Sequence, residues 1–322
     1  MRRLRRALAS AAALGLALVA GSGPALGWSQ PTHQVTGAIA WQDLRQNHPA
    51  ELAELLSLIR QHQDYPRFER HFAALAPEAQ QRALFEVLGR WPDDIRGGPE
   101  DHPDWHYQLR VVSGRTWLWR FENGNAAFGF GHNYTKLANP CASAAERAKA
   151  IGWLIHIIGD VQQPLHAGHQ MTSVYSATDR SGQLAFVKRP NGKVTDLHQF
   201  WDGTLEDSGV TLPTGETNWA DALTKAWPRT RLPHELTRRG ETRMQFYSFL
   251  DESAILARLV AYQGTYLQGS PDPARAPMVS QAEQDRAITI AQRRIATGGY
   301  RIADLLAQAI KDAKAVTWTC PA

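Results

Sequence analysis

The chain has 322 residues, 43% of them hydrophobic, and a formal net charge of +4. The first 27 residues hold four arginines and no acidic residue or lysine, so residues 28–322 are formally neutral and offer no global basic patch for nucleic acid. Residues 28–322 are long enough to bury a substantial core, and any attraction for phosphate must be local.

Met1–Gly27 has the layout of a secretory signal. Arg2, Arg3, Arg5 and Arg6 form a positive start, Ala7–Ala20 is an apolar run, and Ala25-Leu26-Gly27 is a small-x-small cleavage site. The run is shorter than the about 20 residues of a transmembrane helix. The expectation is export, to the periplasm or outside the cell, with a membrane anchor as the alternative. Paired arginines leave a twin-arginine route open. Cys141 and Cys320 are the only cysteines. An exported compartment lets them pair, tying the loop before a central helix to the C-terminus; two free thiols are the alternative.

Cleavage after Gly27 exposes Trp28-Ser29-Gln30-Pro31-Thr32-His33. An unblocked Trp28 offers an α-amino nitrogen and a carbonyl oxygen that can chelate one metal, and His33 can add an imidazole. Thr32 is placed to cap a helix running to about Arg45. Residues 50–63 and 74–90 have helical periodicity. Arg90-Trp91-Pro92-Asp93-Asp94-Ile95-Arg96 breaks it and reads as a turn or helix start. Asp104-Trp105-His106-Tyr107 sets a His among aromatics. Residues 123–140, rich in Gly and Asn, read as a loop carrying Phe128, Phe130 and Tyr134.

The next stretch organises the chain. Ser143 with Glu146 forms a capping box, and Ile151, Leu154, Ile155 and Ile158 recur at helical spacing. His156 and Asp160 then share one helix face. Pro164 should end or bend the helix and turn His166 elsewhere. A hydrogen-bonded His–Asp pair in a core is the bland alternative. Residues 167–195 are polar, with a short strand at Leu184–Val187 and room for a small hairpin. His198 and Asp202 repeat the His-x3-Asp spacing, which favours metal binding in a chain with 12 His. Segments 217–228, 233–268 and 280–313 read as amphipathic helices. The fold class is therefore mainly α, as one large domain or two small ones, with a small β-hairpin insert.

The candidate ligands are Trp28, His33, Asp93, His106, His156, Asp160, His166, His198 and Asp202, too many for one ion. Nitrogen and oxygen donors without thiolate suit zinc, and close metals suit phosphoester chemistry.

The ordered set Trp28-x4-His33, Trp91-x-Asp93-x-x-Arg96, Trp105-His106-Tyr107, His156-x3-Asp160-x5-His166 with Gln163-Pro164-Leu165, and His198-x3-Asp202 resembles the S1/P1 nuclease family of trinuclear zinc nucleases and 3′-nucleotidases. The resemblance runs from Trp28 to about Trp201-Asp202 and more loosely to the end, and it implies a single helical domain over 28–322. It implies one zinc on Asp93, His106, His156 and Asp160. It implies a second on Trp28, His33 and the other Asp160 oxygen, and a third on His166, His198 and Asp202. It further implies that Asp93 orients the attacking water, that Arg96 clamps the phosphate and that Tyr107 stacks on a base. Asp94 falls outside the family spacing. Leu109 stands where an acidic base contact often lies, Ser181-Gly182-Gln183 replaces Gly-Gly-Asn, and Gln162 replaces a His before Gln-Pro-Leu-His.

The function implied is an exported zinc endonuclease cutting single-stranded DNA and RNA to 5′-phosphate products, with a 3′-nucleotidase share. Stable membrane association and an obligate protein partner are not expected. The alternatives are a related trinuclear zinc phospholipase C, for which Phe128-Gly129-Phe130 would be the membrane-facing loop, and a zinc-binding protein without turnover. Arg96 beside Asp93 argues against the second, since a structural site needs no phosphate clamp.

Overall fold

A computed structural model describes residues 27–113, 121–206, 215–237, 242–315 and 320. The expected signal segment lies outside the described residues except for Gly27. Helix α1 (Gln30–Asn47) packs against α4 (Pro77–Asp94) and the long α11 (Gln281–Ala315). Helix α6 (Ala144–Asp160) packs against α4 and α5 (Ala126–Ala138). Helices α2 (Pro49–Ile59) and α3 (Tyr65–Phe72) flank this group, and none of the described helices is long and apolar enough to cross a membrane.

The start of α1 differs from expectation. Pro31 is tolerated in a first helical turn, so the helix begins at Gln30 and Thr32 lies inside it, its hydroxyl 3.0 Å from Ser29 Oγ. The crossing of α1 and α4 depends on Gly89, where a Cβ would fall 2.6 Å from the His33 carbonyl oxygen. Nor does α4 break at Arg90–Arg96. Pro92 sits in its last turn, and the Arg90–Asp94 ion pair at 2.6 Å spans the proline, so the helix continues to Asp94. Asp94 is thereby an ion-pair partner of Arg90.

The expected loop at 123–140 is mostly helix α5. Ala126, Ala127, Phe130 and Leu137 are buried on one side, and Phe130 stacks on Phe246 at 4.4 Å. Gly129 has a packing role: a Cβ there would lie 2.7 Å from Trp105 Cγ. Phe128-Gly129-Phe130 is therefore part of a helix, with Phe128 exposed and Phe130 in the core.

Helix α6 follows the sequence closely. Ser143 Oγ accepts the Glu146 N–H at 3.3 Å and Glu146 accepts the Ser143 N–H at 3.2 Å. Ile151, Leu154, Ile155 and Ile158 are buried, and the helix ends at Asp160 before a 3-10 turn, Pro164–His166. Gln162, between them, faces α11. Its carbonyl accepts from Arg294 at 3.2 Å and its amide oxygen from Arg301 at 3.1 Å. Both arginines also pair with Glu252 on α10 (Thr242–Leu256), at 2.8 and 2.7 Å.

Strand β1 (Gln108–Val111) lies between β2 (Asn123–Gly124) and β3 (Gly168–His169), a small sheet that the periodicity does not predict. The expected hairpin is present as β4 (Phe186–Lys188) and β5 (Val194–Asp196), paired antiparallel and starting two residues after Leu184. Asp196 caps the short α7 (Leu197–Asp202) by accepting the Gln199 N–H at 2.8 Å. Cys141 and Cys320 form a disulfide that ties the segment before α6 to the C-terminal end.

Candidate metal centre

Five segments meet at the last turn of α6. His33 comes from the first turns of α1, Asp93 from the last turn of α4, and His106 from the 3-10 turn Pro103–His106. His156 and Asp160 come from α6, and His166 from the turn that follows it. All six side chains are buried.

The helical spacing brings His156 Nε2 to 2.9 Å from Asp160 Oδ2. His106 Nδ1 lies 3.1 Å from the same oxygen and 2.8 Å from His156 Nε2. His33 Nε2 lies 3.3 Å from Asp160 Oδ1 and 3.7 Å from Asp93 Oδ2, so the two Asp160 oxygens face two separate groups. The Trp28 indole is buried and donates to the Gly159 carbonyl at 3.0 Å. That bond sets the preceding backbone against the cluster: a Cβ on Gly27 would fall 1.9 Å from Asp160 Oδ1 and 3.0 Å from His33 Nε2.

A second assembly forms where α7 meets the 164–166 turn. The His166 and His198 rings stack at 5.1 Å, and His198 Nε2 is 3.6 Å from Asp202 Oδ2. Asp202 Oδ1 accepts from Gln163 Nε2 at 2.8 Å.

Three histidines are oriented by backbone carbonyls. His156 Nδ1 donates to Gly89 O at 2.7 Å, His166 Nδ1 to His106 O at 2.7 Å, and His198 Nδ1 to Ser181 O at 2.8 Å. A carbonyl can only accept, so in the neutral rings Nε2 carries the lone pair, as a metal ligand requires.

The charges follow from burial and neighbours. Burial works against a charged His156, yet Asp160 and Asp93 push its pKa up to about 9. Burial likewise opposes ionised Asp160 and Asp93, but His156 and the other imidazoles hold both carboxyls below the usual range. His106 and His166 are kept neutral chiefly by burial. Asp202 moves the other way: burial raises it well above the usual carboxylate range, the Gln163 amide opposes, and the carboxylates of Asp196, Asp160 and Asp93 raise it further.

These residues fit metal ions. Candidate donor atoms within 4.8 Å of one another form the groups His33–Asp93–His156, His106–His156–Asp160 and His166–His198–Asp202. Several of the atoms, among them His33 Nε2, Asp93 Oδ2, Asp160 Oδ1 and His166 Nε2, are buried without a hydrogen-bond partner. Lone pairs crowded this way demand protons or a cation between them.

Beside the centre opens a cavity of about 410 Å³, lined by Arg96, Tyr107 and His198 among others. The Arg96 guanidinium is held by Asp93 Oδ1, with Nε at 3.0 Å and Nη2 at 2.6 Å. Leu109 is part of the wall, as are Ser181 and Gln183. Sequence reasoning misses Asn123, Gln163, Thr178 and Arg180. Only Gln163 carries a signal, its place beside Pro-Leu-His; the other three lie on short strands and turns without periodicity.

The family model described as S1/P1 nuclease matches residues 28–311. Among curated proteins, Nuclease S1 of Aspergillus oryzae (strain ATCC 42149 / RIB 40) is 29% identical over 96 residues, 29% of this chain. The aligned part spans 30% of that relative's length.

Proposed function

The chain belongs to the S1/P1 nuclease family, and from that membership we propose that it is an exported zinc phosphodiesterase cutting single-stranded DNA and RNA to 5′-phosphate products. The observation that carries this proposal is the convergence of eight His and Asp side chains into three donor groups beside an arginine-bearing cavity.

Asp93, His106, His156 and Asp160 would hold one zinc. His33, the second Asp160 oxygen and the amine and carbonyl of a processed Trp28 would hold another. The closeness of residue 27 to Asp160 and His33 supports this, because a new amino terminus at Trp28 would form in the same place. His166, His198 and Asp202 would hold the third. Bound there, zinc supplies charge neutralisation for a phosphodiester and a lowered pKa for water.

The chain's own residues do the rest. Asp93 would orient an attacking water through its carboxylate. Arg96, fixed by Asp93, presents its remaining N–H groups to the phosphate and stabilises charge developing there. Tyr107 offers a ring to an unstacked base, which a duplex would hide. The disulfide and the secretory layout of Met1–Gly27 support export.

The test is metal content by mass spectrometry on the processed protein, with single-stranded DNA cleavage followed during chelator titration. About three zincs per chain, with cleavage lost on chelation and restored by zinc, is the expected result. One zinc or none, or three without nucleic-acid cleavage, would overturn the proposal.

A further inference from the structure

One wall of the cavity comes from residues 178–183, and the backbone there is unusual. Arg180, Ser181 and Gly182 are consecutive residues with positive φ, at 53°, 57° and 90°. L-residues adopt this conformation rarely, and two in succession require support from their surroundings. Asp179 provides it from the buried side. Its carboxylate accepts the Gln170 N–H at 3.1 Å, while its own N–H donates to the Gln170 carbonyl at 3.1 Å. Thr178 Oγ accepts the Arg180 N–H at 2.9 Å. The turn so held does two things. The Ser181 carbonyl accepts from His198, and the Arg180 side chain joins the cavity wall.

Arg180 differs from Arg96 in its surroundings. Arg96 is committed to Asp93. Arg180 is exposed, and among the described residues no carboxylate pairs with its guanidinium or lines this cavity. A cation at a cavity wall without a counterion attracts an anionic part of whatever enters. In the proposed function Arg96 binds the phosphate to be cut. We infer that Arg180 binds a neighbouring phosphate of the same strand, and so favours nucleotide chains over a single 3′-mononucleotide. This rests on the proposed nuclease function: a chain carries flanking phosphates, whereas a 3′-mononucleotide brings only the one that is cleaved.

Arg180→Gln and Arg180→Lys would be compared with the wild type as processed, zinc-loaded proteins. KM and kcat would be measured on a single-stranded oligonucleotide and on a 3′-mononucleotide. Binding of a hydrolysis-resistant phosphorothioate oligonucleotide would be measured against salt. With Arg180→Gln, KM for the oligonucleotide should rise about tenfold, at least about fivefold more than for the mononucleotide. The slope of log affinity against log salt should fall by about 0.7, one phosphate contact on a single strand. Arg180→Lys should recover most of the salt slope, since it keeps the charge. Equal losses on both substrates would overturn the assignment to a neighbouring phosphate, as would an unchanged salt slope. If the wild type cleaves neither substrate, the nuclease proposal itself fails and this inference falls with it; cleavage by the wild type with an unaffected Arg180→Gln variant refutes Arg180 alone.

Discussion

The molecule uses one short pattern twice, His-x3-Asp, and builds two different environments from it. His156 and Asp160 end a 17-residue helix and are buried on every side, whereas His198 and Asp202 lie on a six-residue helix propped by a hairpin and a turn. At the first pair the carboxylate meets four imidazoles at close range: His33, His106, His156 and His166 all lie within 3.6 Å of an Asp160 oxygen. At the second, Asp202 has His198 at 3.6 Å and one amide donor, Gln163. The result is opposite electrostatics. Asp160 is held well below the usual carboxylate range by its imidazoles, and Asp202 is pushed well above it by burial. Identical spacing thus fixes which side chains share a face, while the neighbours decide how much charge the pair can carry.

The largest test of this contrast is Asp160→Asn. Removing the charge that four histidines surround should cut turnover at least about 10⁴-fold and release more than one zinc per chain. It should also lower the melting temperature, because buried imidazoles lose their counterion. A variant with full metal content would refute a bridging role for Asp160. Arg96→Ala touches the same region without removing a ligand. Turnover should fall about 10³-fold while zinc content and melting temperature stay at wild-type values; unchanged turnover would remove the phosphate clamp. Asp202→Asn should be milder, with about one zinc lost per chain and turnover reduced about 10²-fold. If its loss matches that of Asp160→Asn in metal and in stability, the two sites are not separable.

Stability against acid sharpens the comparison from outside both pairs. His62 is also a buried imidazole near a carboxylate, in edge contact with Trp91 at 4.6 Å. Here burial outweighs Asp64, and the pKa drops to about 4, the reverse of His156. The folded pKa lies below that of the unfolded chain, so the unfolded state takes up the proton first. The stability is complete above pH 6.5 and is lost as pH falls towards about 4, a change of about 3 kcal/mol. In the variant His62→Gln the amide cannot titrate, and its oxygen can still accept the Asp64 N–H that His62 Nδ1 receives at 3.1 Å. His62→Gln should therefore lose about 3 kcal/mol less than the wild type between pH 7 and pH 4 in urea unfolding. Parallel pH curves for the two proteins would show that His62 is not an acid sensor of the fold.

What is legible in the sequence follows the same division. His156 and Asp160 can be placed on one face because they ride a capped helix with a clean apolar stripe. Asp93 stands out as a candidate ligand by its motif even though its local structure is misread, since Pro92 has the look of a break and lies in a final helical turn. Helix α5 is hidden by its Gly and Asn content. Gly129 is there for close packing on Trp105, and the Asn133 amide donates to the Gly129 carbonyl at 2.8 Å, so neither marks a loop. Arg180 is not legible at all. Its direction depends on a left-handed turn held by the buried Asp179, and neither composition nor period encodes that. Gln162 shows how a departure from a motif resolves: its partners are Arg294 and Arg301 on α11, away from the donor groups.

The smallest expected effect tests the support of the weaker pair. Gln163 is fully buried, and its two polar ends do separate jobs. The amide nitrogen donates to Asp202, and the amide oxygen accepts the Leu165 N–H at the head of the turn that carries His166. One side chain therefore positions two members of the His166–His198–Asp202 group. Asp160 has no such single prop, because its imidazoles come from several elements. Gln163→Leu should weaken zinc binding at the third site about tenfold, in the range found when a ligand loses its hydrogen-bonded support, and leave the other two ions in place. Competition with a chelator, read as zinc retained per chain, measures this directly. If all three ions weaken together, Gln163 supports the fold as a whole; if none does, α7 and its hairpin hold Asp202 without help, and the two His–Asp pairs are more alike than their surroundings indicate.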